Sequence, residues 1–471
     1  MKKTRKNLYF CDMKRIILTA IIALTLASCS KAPSPIYPAP TDAQLEWQEL
    51  ETYAFIHFGL NTFNDLEWGY GDTPATTFNP TDLDCDQWAA TLKNAGMKGV
   101  ILTAKHHDGF CLWPTKSTDY NISKSPYKNG GGDVVKELSE ACKKYGLKFG
   151  IYCSPWDRHN SFYAFPEYVE TYHQQIQELT NNYGPLFEFW FDGANGGDGY
   201  YGGACETRQI DHNKYYDYQR AKDTVLAHNP TAMIFGGPFQ TVRWIGNEKG
   251  YSEPTNWCNE TENGTEWVPA EVDVSIRPGW FYHKNEDDKV KTVNELCDIY
   301  YNSVGHNSNL LLNFPVALNG KIHPTDSIRA IEFYNTITNE LSNNKLYDAK
   351  ANADNERGRR FSASKVNDNN SETYWATDAD YPYGTISFSF EKAVTLSKVM
   401  IQEYVKLGQR VKSFYLEGCK DGKWFRINTF DETTTVGYKR IVRFNPVELD
   451  KLVINFEESR GPLCISNIEA Y

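Results

Sequence analysis

The sequence lacks several features that mark common classes of protein. No two of its 11 cysteines form a C-x-x-C pair, so a structural zinc site has no support. No glycine-rich phosphate turn follows the first apolar run, which argues against an open dinucleotide-binding sheet. Basic residues are outnumbered, because 49 Lys and Arg face 60 Asp and Glu and leave a net charge of −11. That balance disfavours nucleic acid or a polyanionic substrate as the main partner.

Length and aromatic content bound the remaining possibilities. The 471 residues suffice for two or three domains with a large buried core. Aromatic residues make up 14% of the chain, with 12 Trp and 30 Tyr. This surplus suits either sugar binding, in which ring faces stack on the apolar faces of pyranosides, or a large aromatic core.

The first 28 residues have the pattern of a secretory signal peptide. Met13, an alternative start of translation, opens a basic stretch that is followed by the apolar run Ile16–Leu26 and by small residues before Cys29. Leu26 to Cys29 resembles the lipobox of bacterial lipoproteins, in which the cysteine becomes lipidated. We therefore expect residues 29–45 to be a lipidated cysteine with a Pro-rich spacer, and the protein to lie in the bacterial cell envelope, facing the periplasm or the outside. An ordinary secreted precursor is the alternative.

Residues 46–343 alternate short β-rich apolar runs with amphipathic helical stretches, the pattern of βα units. Seven or eight strands over about 300 residues predict an α/β fold, a TIM-like (β/α) barrel. The predicted strands are Tyr53–Phe58, Gly99–Ala104, Lys148–Ser154, Leu186–Phe191, Ala232–Gly236, Glu271–Ile276 and Asn309–Leu312. The predicted helices are Asp86–Ala95, Asp133–Tyr145, Phe165–Tyr183, Lys214–His228, Lys289–Val304 and Asp326–Leu341.

Residues 344–471 lose the helical period and predict a β-sandwich of ordinary domain size. The alternating segments are Thr385–Phe390, Lys398–Tyr404 and Lys451–Phe456. Asn367–Asn370 and Thr373–Ala376 resemble the discoidin or coagulation-factor type C domain. Asp368 and its neighbours form either an Asx-rich turn, which we favour, or a structural calcium site with oxygen ligands.

Polar and aromatic residues recur directly after the predicted barrel strands. In a barrel of this kind the reactive groups lie at the carboxyl ends of the strands, so this recurrence predicts a site. The residues are His57, Glu67, Trp68, His106, His107, Tyr152, Trp190, Asp192, Arg243, Glu248 and Trp280.

Asp192 is the most informative of these residues, because strand propensity does not explain an acid directly after Phe187–Phe191. A buried carboxylate without a partner costs several kcal/mol, so a functional role is expected and a structural salt bridge is the alternative. Glycoside hydrolysis with retention needs two carboxylates. The candidates for the second are Glu248 and Glu271.

The adjacent pair His106 and His107 could bind a metal, but neighbouring residues of a strand point to opposite faces and no third ligand stands at a recognised spacing. We expect them to hydrogen-bond sugar hydroxyls, with one of them filling the core as the alternative. No metal is predicted at this site.

These motifs together resemble those of glycoside hydrolase family 29, the retaining α-L-fucosidases. The likeness covers about residues 46–341 and depends on His57-Phe-Gly, Lys105-His-His-Asp-Gly-Phe and Trp190-Phe-Asp-Gly in barrel order. The resemblance implies that Asp192 is the nucleophile. It also implies contacts to the fucose ring from His57, Glu67, Trp68, His106, His107, Tyr152 and Trp190.

The acid/base residue differs between the two branches of this family. In the branch that acts on α-1,3/4-fucosyl linkages it is the Glu of Trp-Ile-Gly-Asn-Glu, which falls on Glu248. In the broader branch the nearest counterpart is Glu271. Because Trp244–Glu248 resembles the first branch, Glu248 is preferred, with Arg243 and Trp280 as walls of the site.

The resemblance thus implies a retaining exo-α-L-fucosidase that removes terminal α-1,3/4-linked L-fucose from branched glycans, with no required cofactor. Its expected partners are fucosylated oligosaccharides or glycoconjugates, without nucleic acid, and the membrane through Cys29 alone. The alternatives are a broad-specificity enzyme that includes α-1,2 linkages, a hydrolase of another deoxysugar or a galactoside, and a non-catalytic glycan-binding lipoprotein. The glycine-rich segment Gly193–Asp211 is either a mobile loop of the glycan subsite or a surface connection.

Overall fold

The structure, a computed structural model, describes residues 31–471. The predicted signal peptide and the lipidation site at Cys29 lie outside the described residues. A parallel β/α unit is followed by an antiparallel β unit. No helix in the described part of the chain is both long enough and apolar enough to cross a membrane.

Eight parallel strands form the sheet of the first unit. They are β1 (Thr52–His57), β2 (Gly99–Lys105), β3 (Lys148–Cys153), β4 (Leu186–Trp190), β5 (Met233–Phe235), β6 (Arg243–Trp244), β7 (Ala270–Ser275) and β8 (Ser308–Pro315). The order in the sheet is β5-β4-β3-β2-β1-β8-β7-β6. A parallel bridge between Phe235 and Val242 joins the two ends, so the sheet closes on itself. The predicted TIM-like barrel is confirmed.

Helices cover the outside of this barrel. They are α1 (Asp42–Gln48), α2 (Leu60–Asn64), α3 (Cys85–Asn94), α4 (Val134–Tyr145), α5 (Pro166–Asn182), α6 (His212–Tyr215), α7 (Tyr218–His228), α8 (Val293–Ser303) and α9 (Pro324–Glu340). Short 3₁₀ turns lie at Ala75–Thr77, Ile122–Lys124, Tyr127–Gly130, Tyr201–Gly203, Lys284–Glu286, Arg359–Phe361, Ala363–Lys365 and Val405–Leu407.

Helix α4 shows how the sequence specifies its helices. The Asp133 side chain caps the helix by accepting from the Lys136 amide, and Gly146 ends it with φ 66°, a left-handed conformation that glycine adopts without strain. Between these ends, Val135 and Leu138 lie on the apolar face and pack into the core between helices and strands.

The structure differs from the predicted elements at three places in the barrel. Strand β6 has only two residues, too short to give a periodic signal. The predicted helix Lys214–His228 is broken, because Asp217 has φ 49° and its side chain caps a new helix, α7. Helix α1 begins inside the predicted spacer, where a capping box at Thr41 starts it.

The inside of the barrel is filled rather than open. Tyr53, Phe55, Tyr152, Phe187 and Phe235 pack in one buried cluster together with Trp47 of α1. The carbonyl oxygen of that tryptophan accepts a hydrogen bond of 2.6 Å from the Asn309 side chain near the start of β8. Helix α1 therefore lies against the amino-terminal end of the barrel.

The second unit is the predicted β-sandwich. Its strands are β9 (Lys350–Ala353), β10 (Trp375–Ala376), β11 (Gly384–Glu403), β12 (Val411–Lys420), β13 (Lys423–Arg426), β14 (Arg440–Ser459) and β15 (Cys464–Ala470). They pair antiparallel in the order β10-β15-β11-β14-β12-β13, with β9 on β11. Two predicted strands merge into β11, because register shifts interrupt its pairing without ending it.

Residues 34–37 lie against this sandwich, whereas the sequence predicts a free spacer there. The Ile36 amide donates to the Leu407 carbonyl oxygen at 2.9 Å, and the Arg410 guanidinium donates to the Ser34 carbonyl oxygen at 2.8 Å. Backbone groups of an extended Pro-containing segment have no partners within the segment, so an adjacent domain with free donors and acceptors can hold it.

The sandwich also holds the long connection between β6 and β7. The Asn256 amide donates to the Thr435 hydroxyl at 2.8 Å, and the Gln409 side chain donates to the Asn256 carbonyl oxygen at 3.0 Å. The Cys258 amide donates to the same glutamine at 2.8 Å. The two units are therefore joined through the connection that also carries Glu248.

Candidate active site

A cavity of about 480 Å³ opens at the carboxyl ends of the barrel strands. It brings together nearly all of the residues predicted for the site, although they come from distant parts of the chain. These are His57, Glu67, Trp68, His106, His107, Tyr152, Trp190, Asp192, Glu248 and Trp280.

Asp192 follows β4 and faces this cavity with a partly exposed carboxylate. Its Oδ2 accepts a hydrogen bond of 2.9 Å from the Tyr152 hydroxyl, and its Oδ1 accepts one of 2.7 Å from the Ala194 amide. The His107 Nε2 lies 3.8 Å from Oδ2. Two donors thus fix the orientation of the carboxylate and leave it open to the cavity.

His57, at the end of β1, presents a hydrogen-bond acceptor. The Asn313 side-chain nitrogen donates to the Ser275 hydroxyl and to the Trp280 carbonyl oxygen, so its Oδ1 is the atom that faces His57 Nδ1 at 2.8 Å. Burial lowers the pKa of His57 to about 3, so the ring is neutral. Nδ1 therefore carries the proton and Nε2 is left as an acceptor.

His106 presents the opposite polarity. The Asn61 side-chain nitrogen lies 3.2 Å from His106 Nδ1 and donates to the Glu67 carbonyl oxygen. Burial, together with neighbouring His107, holds the pKa of His106 well below its usual range. The neutral ring accepts at Nδ1 and donates from Nε2. A hydroxyl group both donates and accepts, so this pair of imidazoles suits neighbouring sugar hydroxyls.

His107 lies beside His106, with ring centroids 4.0 Å apart. The two rings share one cavity because β2 ends at Lys105 and the alternation of a strand no longer applies. Ser154 lies 2.7 Å from His107 Nδ1, and burial lowers the pKa of His107 to about 4. Among residues 31–471 no group of three or more His, Cys, Asp or Glu side chains has a metal-binding arrangement.

Aromatic rings form the floor of the cavity. Trp190 stacks on Phe235 with centroids 3.9 Å apart and planes 7° apart, and it lies 5.4 Å from Tyr152. The Trp190 indole nitrogen donates to Glu271 beneath it at 2.9 Å. A flat, fixed apolar surface of this kind suits the C–H face of a sugar ring.

Glu67 organises one wall through the loop after β7. Its carboxylate accepts from the Trp280 and Phe281 amides at 3.0 and 3.1 Å and from His283 at 2.7 Å. Burial opposes protonation of His283, but its hydrogen bonds to Asp65 and Glu67 outweigh that effect and raise its pKa. Glu67 therefore positions Trp280 in addition to lining the cavity.

Glu248 reaches the cavity from the loop after β6. The residue is exposed, and its Oε2 accepts a hydrogen bond of 3.2 Å from the Trp280 indole nitrogen. Gly246 precedes it with φ 91° in open space, and Asn247 closes the following turn onto the Lys249 amide. The carboxyl group is thus carried on a turn rather than on a barrel strand.

Two of the predicted site residues lie elsewhere. Arg243 points away from the cavity, and its guanidinium donates to the Asn256 side chain at 2.6 Å, because alternation along β6 turns the neighbouring Trp244 toward the cavity instead. Glu271 is fully buried beneath Trp190 and is not part of the cavity wall. Arg243, predicted as a wall of the site, therefore does not line this cavity.

Several residues of the cavity wall carried no separate sequence prediction. They are Phe55, Phe191, Gly193, Ala194, Phe235, Gly236, Gln240, Trp244 and Asp273. Asp273 had a readable signal, since Glu271-Val-Asp273-Val places two acids on one face of an apolar strand. Of the glycine-rich segment, the part beyond Ala194 folds into a hairpin, Gly197–Gly199 with Glu206–Arg208, which Arg158 holds through Asp198 at 3.0 Å.

Asp368 in the sandwich forms a turn. Its Oδ1 accepts from the Asn370 amide at 3.1 Å and from the Thr373 hydroxyl at 2.9 Å, while its Oδ2 lies 3.1 Å from the Lys365 ammonium group. These contacts are those of an Asx-rich turn.

Comparisons with known proteins agree with this geometry. A family model described as alpha-L-fucosidase matches residues 36–335, and one described as F5/8 type C domain matches residues 348–469. Alpha-L-fucosidase 1 of Arabidopsis thaliana is 39% identical over 93% of this chain and 88% of its own length. The putative alpha-L-fucosidase 1 of Oryza sativa subsp. japonica is 37% identical, with 93% and 86% covered.

Solved structures lead to the same family. A putative alpha-L-fucosidase from Bacteroides thetaiotaomicron is 39% identical with a TM-score of 0.87, over 93% of this chain and 99% of that one. A Ruminococcus gnavus GH29 fucosidase, solved in complex with fucose, is 32% identical with a TM-score of 0.85, over 95% and 97%. The chain therefore belongs to the α-L-fucosidases of glycoside hydrolase family 29.

Proposed function

We propose that this α-L-fucosidase works by double displacement, with Asp192 as nucleophile and Glu248 as acid/base. The observation that carries the proposal is that these two carboxyl groups line one cavity from different elements of the barrel. Asp192 attacks the anomeric carbon while Glu248 protonates the departing oxygen, and a fucosyl ester forms. Glu248 then takes a proton from water, which hydrolyses the ester with net retention.

The environments of the two groups suit these roles. A nucleophile must remain ionised and correctly aimed, and Asp192 is held by the Tyr152 hydroxyl and the Ala194 amide. An acid/base must exchange protons with solvent, and Glu248 is exposed with a single indole donor. Glu271 is unsuited to the second role, because Trp190 separates it from the cavity.

Recognition of the fucosyl ring is assigned to the imidazoles and the aromatic floor. His57 and His106 supply an acceptor and a donor for ring hydroxyls, while Trp190 and Phe235 receive the apolar face that carries the methyl group. A methyl contact contributes only about 1–3 kcal/mol, so selection against other sugars rests mainly on the hydroxyl contacts.

The proposed substrates are branched glycans with α-1,3/4-linked fucose. Trp68 and Trp244 at the mouth of the cavity are 54% and 46% exposed, which leaves two free aromatic faces beside the fucosyl site. A fucose on a branched residue brings a neighbouring sugar with it, so two stacking faces favour that acceptor. The Trp244–Glu248 motif supports the same branch of the family.

Azide rescue tests the two catalytic roles. Glu248→Ala with azide is expected to yield α-fucosyl azide, because azide replaces water on the ester intermediate, whereas Asp192→Gly with azide is expected to yield the β anomer by direct displacement. If Glu248→Ala gave the β azide and Asp192→Gly the α azide, the two roles would be reversed. If NMR showed that the first product of the wild type is not α-fucose, retention would be excluded.

Free fucose released from a Lewis-type trisaccharide and from 2′-fucosyllactose tests the linkage. Release from the Lewis trisaccharide alone supports the α-1,3/4 assignment. Equal release from both contradicts it and favours a broad-specificity enzyme.

The cell envelope is the proposed location, with lipid on Cys29. Support comes from the lipobox-like Leu26–Cys29 and the preceding apolar run. Expression with labelled palmitate should label the wild type and leave Cys29→Ser unlabelled in the soluble fraction. An unlabelled wild type would contradict the anchor without touching the catalytic proposal.

A further inference from the structure

Three carboxyl groups lie together inside the barrel, beneath the floor of the cavity. Glu188 on β4 and Glu271 and Asp273 on β7 are each at most 3% exposed. Glu271 and Asp273 are two positions apart on one strand, so their side chains share its inner face. Burial has the largest effect on the pKa of each, and no lysine or arginine is among the described groups with the next largest effects.

Conventional hydrogen bonds satisfy only part of this cluster. Glu271 accepts from the Trp190 indole nitrogen at 2.9 Å and from the Tyr53 hydroxyl. By contrast, Glu188 Oε1 and Asp273 Oδ1 are buried, and within residues 31–471 no N–H or hydroxyl group donates to them. Such atoms are costly unless a proton lies between them and a neighbouring acceptor.

That neighbour is the carboxyl group of Glu271, because side-chain hydrogen bonds with Asp273 and Glu188 act to lower its pKa against the effect of burial. Two carboxyl oxygens bond only if one of them is protonated. Burial, and after it the charge of Glu271, raises the pKa of Asp273 and of Glu188 well above the usual range. Burial raises the pKa of Glu271 as well, but its hydrogen bonds with Tyr53 and Trp190 oppose that effect. Glu271 is therefore the acid of the three that ionises first, and the other two are placed to donate a proton to it.

Asp273 is the member of this cluster that lines the cavity. Its Oδ1 is buried and has no donor, so a proton shared with Glu271 would occupy Oδ1 and leave Oδ2 as an uncharged carbonyl oxygen. The charges of Glu248 and Asp192 also raise the pKa of Asp273, so an ionised Asp273 would add a further negative charge close to the nucleophile.

We propose that Asp273 is a further substrate-binding residue, an uncharged carboxyl group whose cavity-facing oxygen accepts a hydrogen bond from a ring hydroxyl of the fucosyl unit, with Glu271 as its positioning residue. The proposal rests on the assignment of this cavity to the fucosyl ring. The proposal explains why Asp273 is buried in the barrel beside other acids. It also gives the floor of the cavity a polar contact, which depends on the proton that Asp273 donates to Glu271.

Isosteric variants test the contact. Asp273→Leu removes the acceptor and should lower kcat/KM for an aryl α-L-fucoside about 10- to 100-fold. Asp273→Asn can donate to Glu271 and accept from a hydroxyl, so it should restore most of that loss. A set of aryl fucosides that each lack one ring hydroxyl identifies the bonded group. For one of them, Asp273→Leu should lower kcat/KM less than it does for the parent substrate. Equal losses for all, or Asn as damaging as Leu, would overturn the proposal.

Controls separate folding and the catalytic assignment from this contact. Glu188→Gln changes the other protonated acid, which is not part of the cavity wall, and circular dichroism monitors folding of every variant. If the leucine variant does not fold, Asp273→Ser replaces it. Infrared difference spectra should show loss of a protonated carboxyl band in Asp273→Asn, and loss of a carboxylate band instead would contradict the neutral state. Full turnover by Asp192→Asn would refute the catalytic assignment, whatever Asp273 does.

Discussion

The two sides of the active site are built in different ways. On one side, Asp192 follows a barrel strand and is fixed by a hydroxyl and an amide, next to buried neutral imidazoles. On the other side, Glu248 lies exposed on a turn with one hydrogen bond to Trp280. The contrast teaches that the group which forms a covalent bond needs a fixed direction, whereas the group which exchanges protons with water needs access to it.

Asp192→Asn, on the side of the site where the nucleophile is held, should cause the largest loss of activity. The amide cannot attack the anomeric carbon, so kcat is expected to fall about 10⁴-fold or more. Steady-state hydrolysis of an aryl fucoside measures the change, and circular dichroism checks the fold. A loss below tenfold would move the nucleophile to another residue.

Glu248→Gln should break the exposed side, and the size of the effect should depend on the leaving group. A natural glycan needs the proton and is expected to lose about 10²- to 10⁴-fold in kcat/KM, while an aryl fucoside with an acidic leaving group loses less. Glu253→Gln on the same connection is the matched control. Equal losses for both substrates would argue against the acid role.

Tyr152→Phe tests the orientation of the nucleophile separately from its presence, because it removes one of the two hydrogen bonds that hold the Asp192 carboxylate. The lost hydrogen bond to a charged acceptor is worth about 1.5–3 kcal/mol, or about 10- to 100-fold in kcat. KM should change less than kcat. An unchanged kcat would mean that the Ala194 amide alone aims the carboxylate.

His57→Gln tests whether the fixed side depends on neutral imidazoles. Unfolded His57 binds a proton below its ordinary pKa, but folded His57 stays neutral down to a pKa of about 3, so acid favours the unfolded chain. When the pH falls from 7 to 5, the unfolding free energy of the wild type should drop by about 2 kcal/mol because of His57. The variant should not show this drop. Urea unfolding at both pH values measures it, with His228→Gln on α7 as control, and a pH-independent difference would refute it.

Trp280→Phe should produce the smallest effect. It removes the indole donor to Glu248 at 3.2 Å, a partly exposed bond worth about 0.5–1.5 kcal/mol, or two- to tenfold in kcat/KM. The main change should be a shift of the pH profile of kcat/KM along the pH axis, with only a small fall in its maximum. A loss as large as that of Glu248→Gln would show that the exposed side is as constrained as the fixed one.

The barrel, the sandwich and the residues that end the long strands could be predicted from the sequence alone. Apolar runs and capped helices report local periodicity, and an acid such as Asp192 directly after such a run is visible in a single segment. Strand β6 and helix α1 were not predicted, because a strand of two residues has no periodicity and a short capped helix next to prolines resembles a linker.

Which of these residues come into contact depends on the tertiary structure. Closure of the barrel brings Glu248 to Trp280, sends Arg243 to Asn256 and places Glu271 under Trp190. It also gathers Glu188, Glu271 and Asp273 from two strands into one buried cluster of acids. Such relations depend on burial and on contacts between segments far apart in the chain. Local sequence patterns contain neither, and for that reason the charge state and the role of a buried acid emerge only in the folded barrel.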